Sequence, residues 1–208
     1  MKLTSERGRK IREEYSEVKE KQVCEQRGLE QVGGNRTKID GSNGISNESI
    51  KNFTGNSTQV HLTTQKHFIK VLGLDENSAN FIAMFCGNEL LNNKGEDRFF
   101  IPEINPQYTN EFLTFLEKNK TKVIDLIIRN GFNVTSVVYR NLKTQELFNI
   151  TYEEILGKVS ECDWVAKKGG VHLKNKKGKT YFHIQREGKK SKSNRYNVLW
   201  HIHRHLFQ

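Results

Sequence analysis

The sequence predicts a mixed α/β domain that ends in a basic, β-rich part. Three observations carry this. "TQVHL" alternates: Val60 and Leu62 point one way, Gln59, His61 and Thr63 the other, as in a strand with one buried face. "TNEFLTFLEKNKTKVIDLIIRNG" places Phe112, Phe115, Leu116, Ile124, Leu126 and Ile127 at helical spacing. From Trp164 onward, short alternating runs are separated by turn residues. A chain of 208 residues suits a single domain, 1–208. It divides into an N-terminal part (about 1–110) and a helix followed by the basic β-rich region (about 111–208).

The elements follow in order. Residues 4–31 mix charges with spaced apolar positions and read as one helix, stopped by Gly28 or by Gly33–Gly34. Residues 33–56 are rich in Gly, Asn and Ser, which predicts turns and one or two short strands, with a hairpin around Ser42–Gly44. The strand at Gln59–Thr63 comes next. "DENSANFIAMFCGNELLNN" has a helical period behind a capping cluster, and "IPEINPQ", with both prolines, reads as a loop. The long helix at 109–131 follows, with a kink at Asn119–Lys120 and Gly131 as its stop. "FNVTSVVYRNLKTQELFNI" reads as two strands joined by a Lys-Thr-Gln turn. "TYEEILGKV" is a short helix with Thr151 as N-cap and Glu154 at the capping-box position. "VHLKNKKGKTYFHIQRE" is a hairpin, and "RYNVLWHIH" a further strand.

Charge is distributed unevenly. The net charge is +10, yet from Val165 to Gln208 there are twelve Lys/Arg and one acid, Glu187. The other 164 residues hold 22 bases and 23 acids, so the body is neutral and the last fifth carries the whole excess. A one-ended basic surface points to a polyanion, with nucleic acid first among them. Cys24, Cys86 and Cys162 are odd in number and far apart, which supports neither a disulfide framework nor a zinc site. No apolar run approaches membrane-spanning length, and the charged N-terminus lacks the apolar core of a leader, so a cytoplasmic location is expected.

Two constellations carry chemistry. The first is Asp40, at the end of the glycine-rich approach "GGNRTKID", with Gln59 and His61 on the following strand. A loop carboxylate and a side-chain oxygen form a hard-oxygen cradle for a divalent ion, and a base two residues along the strand lies on the same face, about 6.5–7 Å away. The plain alternative is a turn aspartate before Gly41 and two solvent-facing polar residues. The second is "KTYFHIQREGKKSKSNRYNVLWHIH", two strands around a basic tip. Gln185, Arg186 and Asn197 are residue types that read base edges, and Lys189, Lys190, Lys192 and Arg195 suit phosphate contact. The alternative there is a solvated basic loop.

These residues resemble the MspI / HinP group of type II restriction endonucleases, within the PD-(D/E)xK nuclease superfamily. "GGNRTKID" is similar to that group's approach to the metal-binding Asp, "TQVHL" to its (Asn/Gln)-x-Lys strand, and "HIQREGKKSKSNRYNVLWHI" to its C-terminal recognition element. The helix run "FLTFLEKNKTKVIDLIIRNG" also resembles the run before that element. The likeness covers about residues 33–75 and 110–208. It implies a restriction-endonuclease-like central mixed β-sheet flanked by helices, with a C-terminal β-rich DNA-recognition part. It also implies Mg²⁺-dependent (or Mn²⁺-dependent) hydrolysis of duplex DNA at a short sequence, by a monomer or homodimer whose host carries a cognate DNA methyltransferase. Asp40, Gln59 and the backbone carbonyl of Val60 would be the metal ligands, with a glutamate of the N-terminal helix, Glu6 or Glu13, joining them. Lys38 would contact DNA.

His61 departs from the pattern, which has lysine there. Histidine is shorter and mostly neutral at pH 7. Three accounts stay open: His61 positions or deprotonates water, Lys66 or Lys38 substitutes for the missing lysine, or the site is silent and the chain only binds DNA. An RNA-binding reading, with Tyr181, Phe182, Tyr196 and Trp200 as stacking residues, is a further alternative.

Overall fold

The computed structural model describes residues 18–32, 37–64, 70, 106–167, 170–186 and 197–208. In chain order these form helix α1 (Lys19–Arg27) and strands β1 (Glu30–Gln31), β2 (Gly41–Ser42), β3 (Asn47–Phe53) and β4 (Ser57–Thr64). Helices α2 (Pro106–Lys118) and α3 (Lys120–Ile128) follow, then β5 (Ser136–Asn141), β6 (Leu147–Thr151) and α4 (Tyr152–Ser160). Strands β7 (Asp163–Lys167), β8 (Gly170–Lys174), β9 (Thr180–Arg186) and β10 (Asn197–His203) lead into a 3₁₀ turn, Arg204–Phe207. The expected helix within 75–93 lies outside the described residues.

The strands form two five-stranded sheets. The first has the order β1-β2-β3-β5-β6 and is mixed: β3 and β5 run parallel, the other pairs antiparallel. The second, β4-β10-β9-β8-β7, is antiparallel throughout. β4 therefore leaves the hairpin sheet and pairs with β10, Leu62 opposite Leu199 and Ser57 opposite His203.

Burial explains the difference in kind. β5 reads Ser-Val-Val-Tyr-Arg because both of its faces are covered, so its apolar run does not alternate. Val137 joins the main core between the sheets, with Phe53, Phe112, Leu116, Ile124, Phe182 and Trp200. Val138 points the other way, into a small core under α1 made with Val23, Cys24, Leu29 and Ile50. In the second sheet Phe182, Ile184, Trp200 and Ile202 are fully buried while His183, Gln185, His201 and His203 alternate with them on the outer face.

Local expectations hold in several places. Gly28 ends α1 in the left-handed conformation (φ 64°), its N–H returning to the carbonyls of Cys24 and Glu25. The hairpin turns at residues 43–46, where Asn43 Oδ1 accepts from Ile45 N (3.1 Å) and Ser46 N (2.8 Å). Thr151 and Glu154 form the reciprocal capping box of α4. The long helix divides at Asn119 (φ −106°, ψ 13°), whose Nδ2 donates to Phe115 O (3.0 Å) beside its own backbone N–H (3.1 Å). Pro106 is a correction: it opens α2 instead of lying in a loop, since a first helical residue needs neither its N–H nor another φ.

Candidate active site

The site is built just before β2 begins. β2 and β3 pair only at Gly41–Glu48 and Ser42–Asn47. One residue earlier the chain diverges, leaving the Ile50 backbone edge without a strand partner. Asp40 fills that gap. Its N–H donates to Glu48 O (2.8 Å), and its Oδ2 accepts from Ile50 N (2.6 Å), Ser49 Oγ (3.3 Å) and Lys51 Nζ (3.2 Å). Lys51 also donates to Ile50 O (3.0 Å). Ser49 and Lys51, two apart on β3, share one face. The Asp40 and Lys51 side chains are 14% and 18% exposed, so their charges face each other largely out of water.

Two further groups belong to the cluster. Glu20 of α1 is pushed up to about 7, first by burial and then by the negative charge of Asp40, with Lys51 opposing. Lys38 is pushed down to about 7 by burial and by the Lys51 charge, with Asp40 opposing. Its Nζ donates to Val60 O (2.6 Å) and Ile127 O (3.2 Å), which ties the Asp40 segment to β4 and α3.

The helix that carries Glu20 is fixed by a fork. Arg27 Nε and Nη2 donate to Glu48 Oε2 (2.6 Å) and Oε1 (2.7 Å). Arg27 lies seven residues after Glu20, two helical turns along the same face. Glu48 thus grips Asp40 through its carbonyl and α1 through its carboxylate. At Gly41 a Cβ would come within 2.7 Å of Cys24 Sγ, so a bare backbone lets α1 sit directly on β2.

The sequence-predicted residues fare differently. Asp40 is at the centre, but the polar side chains around it come from β3 instead of β4. Gln59 is exposed on β4, opposite His201, with no described contact to Asp40. His61 lies opposite Trp200 in the β4–β10 ladder, and its side chain is outside the described residues. Val60 offers its carbonyl to Lys38. Lys38, expected to reach DNA, turns inward onto backbone carbonyls. Gln185 lies on β9 with Nε2 3.3 Å from His201 Nε2. Arg186 ends β9 and Asn197 begins β10, their side chains outside the described residues, as are Lys66, Lys189, Lys190, Lys192, Arg195, Glu6 and Glu13.

Lys51, Ser49 and Glu20 escaped the sequence reading. The signal was present in "DGSNGISNESIKNF", an acid before a hairpin whose return strand carries a polar-x-Lys triplet.

The donor set suits a small hard cation. Among the described residues no group of three or more His, Cys, Asp or Glu side chains forms a ready cage. Magnesium needs none, because it is held by one or two carboxylates with water and substrate phosphate completing the shell. Asp40, Glu20 and the Ile50 carbonyl are oxygens of that type and could hold such an ion, whose charge would offset the burial and the Asp40 charge that raise Glu20.

No family model matches the chain, and no curated protein matches it. Among solved structures it is similar to restriction endonuclease MspI in complex with its cognate DNA, at a TM-score of 0.52 and 9% identity, covering 83% of this chain and 69% of that one. The likeness shows a restriction-endonuclease-like fold.

Proposed function

We propose that the chain is a metal-dependent endonuclease that hydrolyses phosphodiester bonds in duplex DNA at a short specific sequence. The observation that carries this is the Asp40–Lys51 contact beside Glu20, on the central strand of a restriction-endonuclease-like sheet. Asp40, Glu20 and the Ile50 carbonyl would hold Mg²⁺, which supplies charge relief at the scissile phosphate and a more acidic water. Lys51 takes the role that "TQVHL" left to His61. Its ammonium, set by Asp40 and Ile50 O, orients the attacking water and offsets negative charge developing on the phosphoryl oxygens. Lys38 keeps the Asp40 segment against β4, and the Arg27–Glu48 fork keeps Glu20 over it.

The test is digestion of plasmid and unmethylated genomic DNA with Mg²⁺ or Mn²⁺. Discrete fragments that Asp40→Asn abolishes support the reading. Intact DNA across pH 6–9 with either metal sinks it and leaves a DNA-binding protein on the same fold.

A further inference from the structure

The outer face of the second sheet carries a row of imidazoles that the cluster at Asp40 does not use. His172, His183 and His201 are direct cross-strand partners on β8, β9 and β10. Their rings stack, His172 on His183 at 4.9 Å and 15°, His183 on His201 at 4.3 Å and 8°. Exposed Gln59 extends the row onto β4, opposite His201. His203 flanks it, its Nε2 2.7 Å from His183 Nδ1, so one of these two rings donates and the other accepts. Thr180 Oγ1 lies 3.4 Å from His172 Nδ1, and the Gln185 amide lies beside His201.

We infer that this histidine-lined face docks the phosphate backbone of duplex DNA and takes up protons as it does so. The inference rests on the nuclease reading for its partner. Charge complementarity argues for it. The charged and titratable side chains that act on His172 and His203, besides the imidazoles themselves, are Lys167 and Lys174 from β7 and β8 and His205 from the 3₁₀ turn. Asp163, at the outer edge of the sheet opposite Lys174, is the acid of these strands. Position argues for it too, since β4 joins the row to the cluster: Gln59 stands in the row while the next carbonyl, Val60 O, holds Lys38.

In the free protein two of these rings resist protonation. Burial first, then Lys174 and Lys167 for His172 and the neighbouring imidazoles for His203, holds both down at about 4. Stacked rings cannot charge together, because an imidazolium 4–5 Å away disfavours the next. A phosphate against the face reverses this. It stabilises charge on alternate rings and breaks the His183–His203 bond in favour of two N–H donors to anionic oxygens. DNA affinity then rises as pH falls, approaching tenfold per pH unit for each proton bound.

The experiment measures binding of a fluorescein-labelled mixed-sequence duplex by anisotropy, in EDTA and at fixed salt, from pH 8 to pH 5.5. The protein is compared with His183→Gln/His201→Gln, and thermal melts at each pH verify folding. The expected result is a Kd that falls about tenfold or more on acidification in the parent and changes less than half as much, on a logarithmic scale, in the double variant. Equal pH response in the two proteins overturns the inference, as does tighter binding of single-stranded RNA than of duplex. Cleavage with Mg²⁺ but no dependence on these histidines removes this inference and leaves the nuclease reading standing. Proton-coupled binding with no cleavage does the reverse.

Discussion

The two sheets put polar residues to opposite uses. In the first sheet both faces of the central strands are covered, so Asp40, Glu48, Lys51 and Arg140 survive there only by satisfying one another or the backbone. Arg140, for example, donates to Lys19 O, Gln22 Oε1 and Gln145 Oε1. In the second sheet one face is core and the other is half-buried, so His172, Gln185 and His201 alternate with the core residues there and meet one another, as the Gln185 amide meets the His201 ring (3.3 Å). A paired charge in a covered sheet marks chemistry or architecture, whereas a polar row on an open face marks a surface for contact.

The sharpest stability contrast comes from Glu48. Glu48→Ala leaves Arg27 unpaired and α1 unfixed, and should cost about 2–4 kcal/mol by denaturant unfolding, somewhat less than a fully buried pair because Arg27 is 27% exposed. A loss under 1 kcal/mol would place the first sheet in the same class as the second.

A smaller effect is a pH signature. Glu20, raised from 4.5 to about 7 in the folded protein, gives stability that is full below pH 4.5 and is lost as pH rises through 7. Lys38, lowered from 10.5 to about 7, gives stability that grows from pH 7 to 10.5 and is lost as pH falls through 7. Together they predict a dip in the melting temperature near pH 7 in EDTA, filled by Mg²⁺ and flattened in Glu20→Gln. A profile with no dip in the parent would place Glu20 and Lys38 outside one cluster.

The smallest effect belongs to the open face. Gln185→Ala should shift stability by under about 0.5 kcal/mol and still weaken duplex binding. If it unfolds the protein, the face is structural.

Much of this was legible in the sequence. The capping box at Thr151–Glu154, the Gly28 stop, the hairpin near Ser42–Gly44 and the break at Asn119 are local, and local residues decide them. Asp40 was legible as a carboxylate before a turn. Its partner was not, because β3 and β4 both offer a polar-x-cation or polar-x-base triplet, Ser49-x-Lys51 and Gln59-x-His61. Which of them meets Asp40 depends on where a two-residue strand stops pairing and on β4 leaving to join β10, and neither leaves a local trace. The inward turn of Lys38 was hidden for the same reason, since its acceptors, Val60 O and Ile127 O, are distant in sequence.

The proposed nuclease uses Lys51, not His61, as the cation beside Asp40. The most direct measurement is the Mg²⁺-dependent single-turnover cleavage rate of Lys51→Ala and His61→Ala side by side, with both melts verified. The account predicts a loss of about 10²-fold or more for Lys51→Ala and a rate within about threefold of the parent for His61→Ala. Loss of cleavage in His61→Ala with Lys51→Ala still active would contradict it and move the catalytic centre to β4.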